Sequence, residues 1–233
     1  MSYIIAEELV KKYGTGAAAV TAVTDISFQI EPGEFIGVMG ESGSGKSTLL
    51  SIMGAMNAPT SGRFVVDDID VYSLPQEKQA DFRREFLGFI FQSFHLVPYL
   101  TVFENVMLPL TIIKASRKHK RALVEDALCQ VGLLDKADRL PNQISGGEKE
   151  RVAIARAVVN EPPVLLADEP TGNLDSKTSA EIMQLLQRLN ADGMTIIMVT
   201  HSPDCAHYAR RLMRVSDGKV VEDDQMFGSL AIN

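Results

Sequence analysis

Tryptophan is absent from this 233-residue chain, which carries only two cysteines, four histidines, ten phenylalanines and five tyrosines. Two cysteines, Cys129 and Cys205, cannot build a disulfide framework, and so sparse a usage suits a reducing cytosol. His201, Cys205 and His207 stand near one another, but with no Cys-x-x-Cys and no fourth ligand nearby they are not read as a metal cluster. A basic excess is also missing. The 23 Lys and Arg face 30 Asp and Glu, for a net charge of −7 and a pI near 5.2, so no nucleic-acid partner is expected. No stretch reaches the roughly 18 apolar residues of a membrane span. The most apolar long segment, Val97 to Ile113, is interrupted by Glu104, Asn105 and Pro109. The start, Met1 to Glu8, has no basic region leading into an apolar one, so it is not read as a signal peptide. The chain reads as cytosolic.

What is present suffices for one large domain with a substantial core, since 45% of the residues are hydrophobic. Strand-like segments open the chain at Tyr3 to Leu9 and Asp25 to Ile30, the second ending at the turn Pro32-Gly33. Phe35 to Met39 is a short apolar run ending in glycine, which predicts a buried strand followed by a helix from Lys46 to about Met56. Arg63 to Val66 and Phe89 to Phe91 are further strand candidates. Between about 93 and 160 the pattern turns helical, with helices expected over Lys120 to Val131 and Glu150 to Val159, until Pro162-Pro163 closes the region. Buried strands follow at Val164 to Ala167 and Ile196 to Thr200. Between them Ile182, Leu185, Leu186 and Leu189 have the spacing of an amphipathic helix. Val215 to Val220 contains the Asp-Gly of a tight hairpin. Strands alternating with helices predict an α/β fold with a mainly parallel sheet.

Three segments carry chemistry. Gly40-Glu41-Ser42-Gly43-Ser44-Gly45-Lys46-Ser47-Thr48 fits G-x-x-x-x-G-K-[ST], in which backbone N–H groups wrap phosphates. Lysine bridges the terminal phosphates and the following hydroxyl is placed for Mg²⁺. An acidic chain can hold phosphates this way because the positive potential is local to the loop. Asp168 and Glu169 emerge from the end of the apolar run Val164 to Ala167, the edge at which α/β sheets bind ligands. Ser145-Gly146-Gly147 precede a helical stretch, so their free N–H groups form an anion site.

The order and separation of these three segments resemble the ATPase domain of ATP-binding-cassette (ABC) proteins, over about Tyr3 to Val221. The resemblance implies a P-loop nucleoside triphosphatase core, an N-terminal antiparallel β subdomain and an inserted helical subdomain. On that basis residues 1–92 and 161–233 form the nucleotide-binding core and 93–160 the helical insert. It implies ATP and Mg²⁺ as ligands, with Ser47, Gln92 and Asp168 toward the metal. Glu169 would polarise the attacking water, while Gln92 and His201 would sense the metal and the γ-phosphate. Tyr13 would stack on adenine and Asp175 would link two sites. Ser145, Gly146 and Gly147 would meet the γ-phosphate held by a second copy, so a head-to-tail dimer is expected. The sequence departs from the commonest family form at Ile144, which stands in place of Leu, and at Glu148, which replaces Gln and adds charge near an anionic ligand.

Seven aromatic residues crowd the span from Phe82 to Phe103. Phe89 and Phe91 are expected in the core, whereas Phe94, Tyr99 and Phe103 suit either core or a groove for a helix of an integral membrane permease. The run Arg117-Lys118-His119-Lys120-Arg121 reads as a solvated helix start or a contact with anionic lipid. The segments 88–98 and 168–175 resemble most the lipoprotein-releasing and macrolide-exporting ATPases. The expected role is therefore ATP hydrolysis for export on the cytosolic face of a membrane. The alternative is a non-transport ABC ATPase signalling to a cell-division or cell-wall complex.

Overall fold

A computed structural model describes residues 3–225. Ten strands and seven α-helices make up this stretch, with the strands gathered into two sheets. The first sheet is antiparallel, in the order β2-β1-β4-β5, from β1 (Ile4–Tyr13), β2 (Val20–Ile30), β4 (Ser61–Val66) and β5 (Ile69–Asp70). The second holds β3 (Phe35–Met39), β6 (Leu87–Ile90), β7 (Val164–Asp168), β8 (Thr195–Thr200), β9 (Arg211–Ser216) and β10 (Lys219–Gln225), in the order β10-β9-β3-β8-β7-β6. All of its pairings are parallel except the β9–β10 hairpin, which turns at Asp217-Gly218.

Because β3, β7 and β8 are covered on both faces, they read as continuous apolar runs, and their alternate residues feed two separate cores. Leu165, Ala167, Ile196 and Met198 join the core shared with the helical region. Val164, Leu166, Ile197 and Val199 face the core under the first sheet, beside Leu49, Leu50 and Ile52 of α1 (Lys46–Met53).

α3 (Val102–Met107), α4 (Arg117–Gln130) and α5 (Gly146–Val158) lie between β6 and β7 in the chain. Each starts on a side-chain cap: Thr101, Ser116 and Ser145. α6 (Ser176–Ala191) buries Ile182, Leu185, Leu186 and Leu189, and the short α7 (Pro203–Ala206) follows β8. Several boundaries differ from the sequence expectation. α1 stops at Met53, with Gly54 as its C-cap, rather than near Met56. α5 begins at Gly146, well before Glu150, because the Ser145 cap starts it. α2 (Gln76–Phe86) has no counterpart among the expected elements: it is polar almost throughout, and Phe82 is its one buried residue.

Candidate functional site

β3 delivers the phosphate loop to the C-terminal edge of the parallel sheet, and the loop closes with Gly45 at φ 103° as the N-cap of α1. A Cβ at Gly45 would stand 2.2 Å from the Ala22 carbonyl oxygen, so both the backbone angle and the space require glycine. Glu41, Ser42 and Gly43 are exposed, Ser44 is buried, and Thr48, in the first turn of α1, is half-buried. Lys46 is only 6% exposed, and its ammonium donates to the Gly40 carbonyl at 2.8 Å and the Glu41 carbonyl at 2.7 Å. The lysine thus spans the mouth of the loop, placing its charge where phosphate oxygens would bind.

β7 ends beside it. Asp168 closes the strand opposite Val199 of β8, with the Ser47 side chain near its carboxyl. Burial first, and the Glu169 carboxylate second, push the Asp168 pKa up, while Lys46 and Ser47 oppose the rise. A cation placed there would relieve both penalties.

At Glu169 the backbone turns into the left-handed region, φ 48°, while its N–H still bonds to the Val199 carbonyl at 2.9 Å. A non-glycine residue held at positive φ carries strain, which the surrounding contacts must hold in place. Those contacts are on the side chain. Gln92 Nε2 donates to Glu169 Oε2 at 3.1 Å, and His201 Nδ1 lies 2.9 Å from Oε1. An ionised carboxylate accepts on both oxygens, so this arrangement puts a proton on Nδ1 of His201. Asn173 extends the set by donating to the Gln92 carbonyl at 2.8 Å. The sequence reading did not single out Asn173, although it lies in the Pro170 to Asp175 turn that follows the two acids. Behind Glu169 and His201 is a cavity of about 250 Å³, lined among others by Thr171, Ser179, Cys205 and Tyr208.

Lys46, Ser47, Gln92, Asp168, Glu169 and His201 therefore converge on one sheet edge. Ser145, Gly146 and Gly147 make their contacts elsewhere. Ser145 caps α5 with its hydroxyl accepting from the Glu148 N–H at 3.3 Å, and the Glu148 carboxylate accepts the Ser145 N–H at 2.8 Å. Lys136 also donates to Glu148, whose pKa falls below the usual carboxylate range, first because of Lys136 and then because of the Ser145 N–H. A Cβ at Gly147 would stand 2.3 Å from the Thr178 Cγ2, so that glycine also permits the close approach of α5 to α6. Asp175 caps α6, accepting from the Thr178 N–H at 3.0 Å and its hydroxyl at 2.7 Å, bonds that hold its pKa down.

Tyr13, at the end of β1, is 44% exposed. Its hydroxyl accepts from Asn57, which also donates to Ser51 on α1, and Lys11 lies 5.2 Å from the ring centroid. Of the aromatic cluster, Phe89 and Phe91 are half-buried and tilted together at 4.3 Å between centroids. Phe94 and Phe103 are half-buried, and Tyr99 is 79% exposed. Arg156 donates to the Phe94 and His95 carbonyls and so holds the segment after Gln92 against α5.

The oxygen-rich donor set of Ser47, Asp168 and Gln92 fits a hard cation such as Mg²⁺, which takes one or two carboxylates and completes its sphere with phosphate and water. Among the described residues no helix is long and apolar enough to cross a membrane.

Residues 23–172 match the family profile described as ABC transporter. The chain is 46% identical over 215 residues to the uncharacterized ABC transporter ATP-binding protein YvrO of Bacillus subtilis, covering 92% of this chain and 94% of that one. It is 44% identical over 222 residues to the macrolide export ATP-binding/permease protein MacB of Rhodopseudomonas palustris, covering 95% of this chain but 34% of that longer protein. In structure it is similar to the ATP-binding cassette MJ0796 of Methanocaldococcus jannaschii in a dimeric post-hydrolysis state bound to ADP and Pi. The TM-score there is 0.88 at 40% identity, covering 97% of this chain and 99% of that one.

Proposed function

The chain belongs to the ABC transporter family as an ATP-binding ATPase subunit, and on that premise we propose that two copies close head to tail around two ATP molecules to drive a membrane permease. The observation that carries this reading is the grip of Gln92 and His201 on the two oxygens of Glu169 beside the phosphate loop. It holds a carboxylate ready to orient a water for attack on the γ-phosphate, help of a kind typically worth about 10²–10⁴ in rate. Lys46 and the N–H groups of residues 40–48 hold the phosphates, and Tyr13 stacks on the adenine. Ser47, Asp168 and Gln92 would hold Mg²⁺, which when bound supplies positive charge to the β- and γ-phosphates.

Ser145, Gly146 and Gly147 reach the γ-phosphate bound to the other copy, and Asp175 lies between the two sites. The dimeric state of the MJ0796 cassette supports this arrangement. Residues 93–160 act as a helical subdomain inserted in a core of residues 1–92 and 161–233. That subdomain offers Phe94, Tyr99 and Phe103 to the permease. The MacB relatives, whose ATP-binding part is joined to a permease, support an export or lipoprotein-release role at the cytosolic face of the plasma membrane.

The test is size-exclusion chromatography with ATP and Mg²⁺. Glu169→Gln should bind ATP and run as a dimer without cleaving it, and a monomer at saturating ATP would overturn the proposal. Mixing Ser145→Arg with Lys46→Ala chains should restore part of the hydrolysis, because one of the two composite sites is then intact. Full activity of either variant alone would also overturn it.

A further inference from the structure

Between Glu104 and Glu125 the chain carries Lys114, Arg117, Lys118, Lys120 and Arg121 and no acidic residue, although its net charge is −7. α4 starts inside this run, capped by Ser116, and its first turn holds no acid. Cations at a helix N-terminus oppose the macrodipole, so this placement works against helix stability. The first turns of α2, α3 and α5 carry Glu77, Glu104 and Glu148, whereas α6 has no acid there but a single cation, Lys177. A run of charge kept where folding disfavours it calls for another purpose.

Little of this charge is neutralised within the chain. Arg121 pairs with Glu125 at 2.7 Å and Lys120 donates to the Thr111 carbonyl at 3.4 Å. Lys114, Arg117 and Lys118 are exposed and have no ion-pair partner among the described residues. Just ahead of them Ile112 is 67% exposed, an apolar side chain in the midst of cations. The patch is continuous with the aromatic surface of the helical region, because the Arg121 guanidinium lies 5.5 Å over the Phe103 ring. Exposed apolar residues ringed by Lys and Arg are the composition of interfacial membrane contacts, the long basic side chains reaching headgroups while the apolar one enters beneath them.

We propose that the Ile112–Arg121 face docks on the anionic phospholipid headgroups of a bilayer, holding the subunit flat against the membrane beside its permease. The proposal rests on the permease reading only for its orientation. Each Lys or Arg near such a surface contributes about fivefold to partitioning, an effect lost over one Debye length.

The purified protein is mixed with phosphatidylglycerol-containing vesicles or with pure phosphatidylcholine vesicles and sedimented. Binding is expected to the anionic vesicles only and to disappear at roughly 0.5 M salt, where charge is screened. Arg117→Gln with Lys118→Gln should lower partitioning roughly 25-fold, the product of two such contributions. Ile112→Ser should lower it severalfold and leave the salt dependence intact. None of these residues belongs to the ATP site, so hydrolysis and ATP-driven dimerisation should be unchanged, and a vesicle failure is distinguishable from a failure of the ATPase reading. Wild-type protein that ignores anionic vesicles, or a double variant that binds like wild type, overturns the proposal. So does saturable binding of inorganic phosphate that the same substitutions abolish, which would mark a discrete phosphate site. Tighter retention by soluble poly-glutamate than by vesicles of equal charge would point to an acidic polypeptide and overturn it as well.

Discussion

Lys136 and Glu148 form an ion pair at the start of α5, and the same Glu148 carboxylate accepts the Ser145 N–H at 2.8 Å. The negative charge that glutamate introduces next to Ser-Gly-Gly is therefore met by a lysine from the loop before the helix. Its second oxygen completes a capping box with Ser145. The helix start keeps its free N–H groups and its positive end for an anion. Lys136→Met should raise the KM for ATP by about two- to fivefold, the worth of one uncompensated charge at a half-exposed helix terminus. Adding Glu148→Gln to that background should return KM toward the original value. Steady-state ATPase kinetics on the single and double variants check both, and a double variant no better than Lys136→Met would assign the lysine to loop packing.

Gly147 and Thr178 give a second coupled pair. Gly147→Ala would drive a methyl to within 2.3 Å of the Thr178 Cγ2. Overpacking of this kind costs about 1–3 kcal/mol. Thr178→Ser removes the obstructing methyl while keeping the hydroxyl that donates to Asp175 at 2.7 Å. The double variant should recover most of the stability lost by Gly147→Ala, as measured by thermal unfolding. If it does not, the glycine is required for its backbone rather than for the space beside α6.

Glu150 has the opposite environment to Glu148. It is 1% exposed, its Oε1 has no hydrogen-bond partner, and burial raises its pKa to about 8 against a partial opposing effect of Arg156. The native protein therefore holds a proton on Glu150 that the unfolded chain releases near pH 4.5. The resulting stability is fully present below the unfolded value and is lost as pH rises through about 8. Glu150→Gln removes the ionisation. At pH 8.5 it should melt higher than the wild type by roughly 10 °C, since a rise from 4.5 to about 8 is worth on the order of 4 kcal/mol. Below about pH 4 the two should melt alike. Melting curves across this range check the slope, and parallel curves would show that Glu150 is ionised in the folded state.

Tyr13 is tied to α1 through Asn57 and Ser51, so its ring is positioned from the phosphate-loop helix itself. Tyr13→Ala should weaken ATP binding by roughly 1–3 kcal/mol, the range for base–aromatic stacking. Tyr13→Phe keeps the ring and loses only an exposed hydrogen bond, so affinity should change little. Nucleotide titrations of both variants decide, and unchanged affinity in Tyr13→Ala would leave the residue with packing alone.

Lys46→Ala should fail before the chemistry begins. The ammonium is buried and bonded to the Gly40 and Glu41 carbonyls, so its removal takes away the main point charge for phosphate and two bonds that shape the loop. ATP binding should fall below detection by calorimetry, whereas Glu169→Gln should bind ATP and lose only turnover.

Much of the site was legible in the sequence because its parts are local. A glycine-rich loop after an apolar strand, two acids at a strand end and Ser-Gly-Gly before a helix each express their geometry within a few residues, through positive φ, strand polarity and capping. The strands β3, β7 and β8 were legible for the same reason, as apolar runs covered on both faces. Element ends were less so: α5 starts at Gly146 because of a reciprocal cap that periodicity does not reveal, and α2 has no apolar stripe to announce it.

The amino-acid order by itself thus determined which groups this protein offers for the proposed phosphate, metal and water contacts, and on which edge of the sheet they emerge. Only the tertiary structure decided how they meet. Gln92 and His201 reach the two oxygens of Glu169 across 77 and 32 residues of chain, a convergence produced by β6, β7 and β8 lying side by side in one parallel sheet. Likewise the charge of Glu148 is compensated by Lys136 and the space beside Gly147 is taken by Thr178. Contacts of this kind depend on packing between elements, and no local pattern encodes which side chain will stand opposite another once the cores have closed.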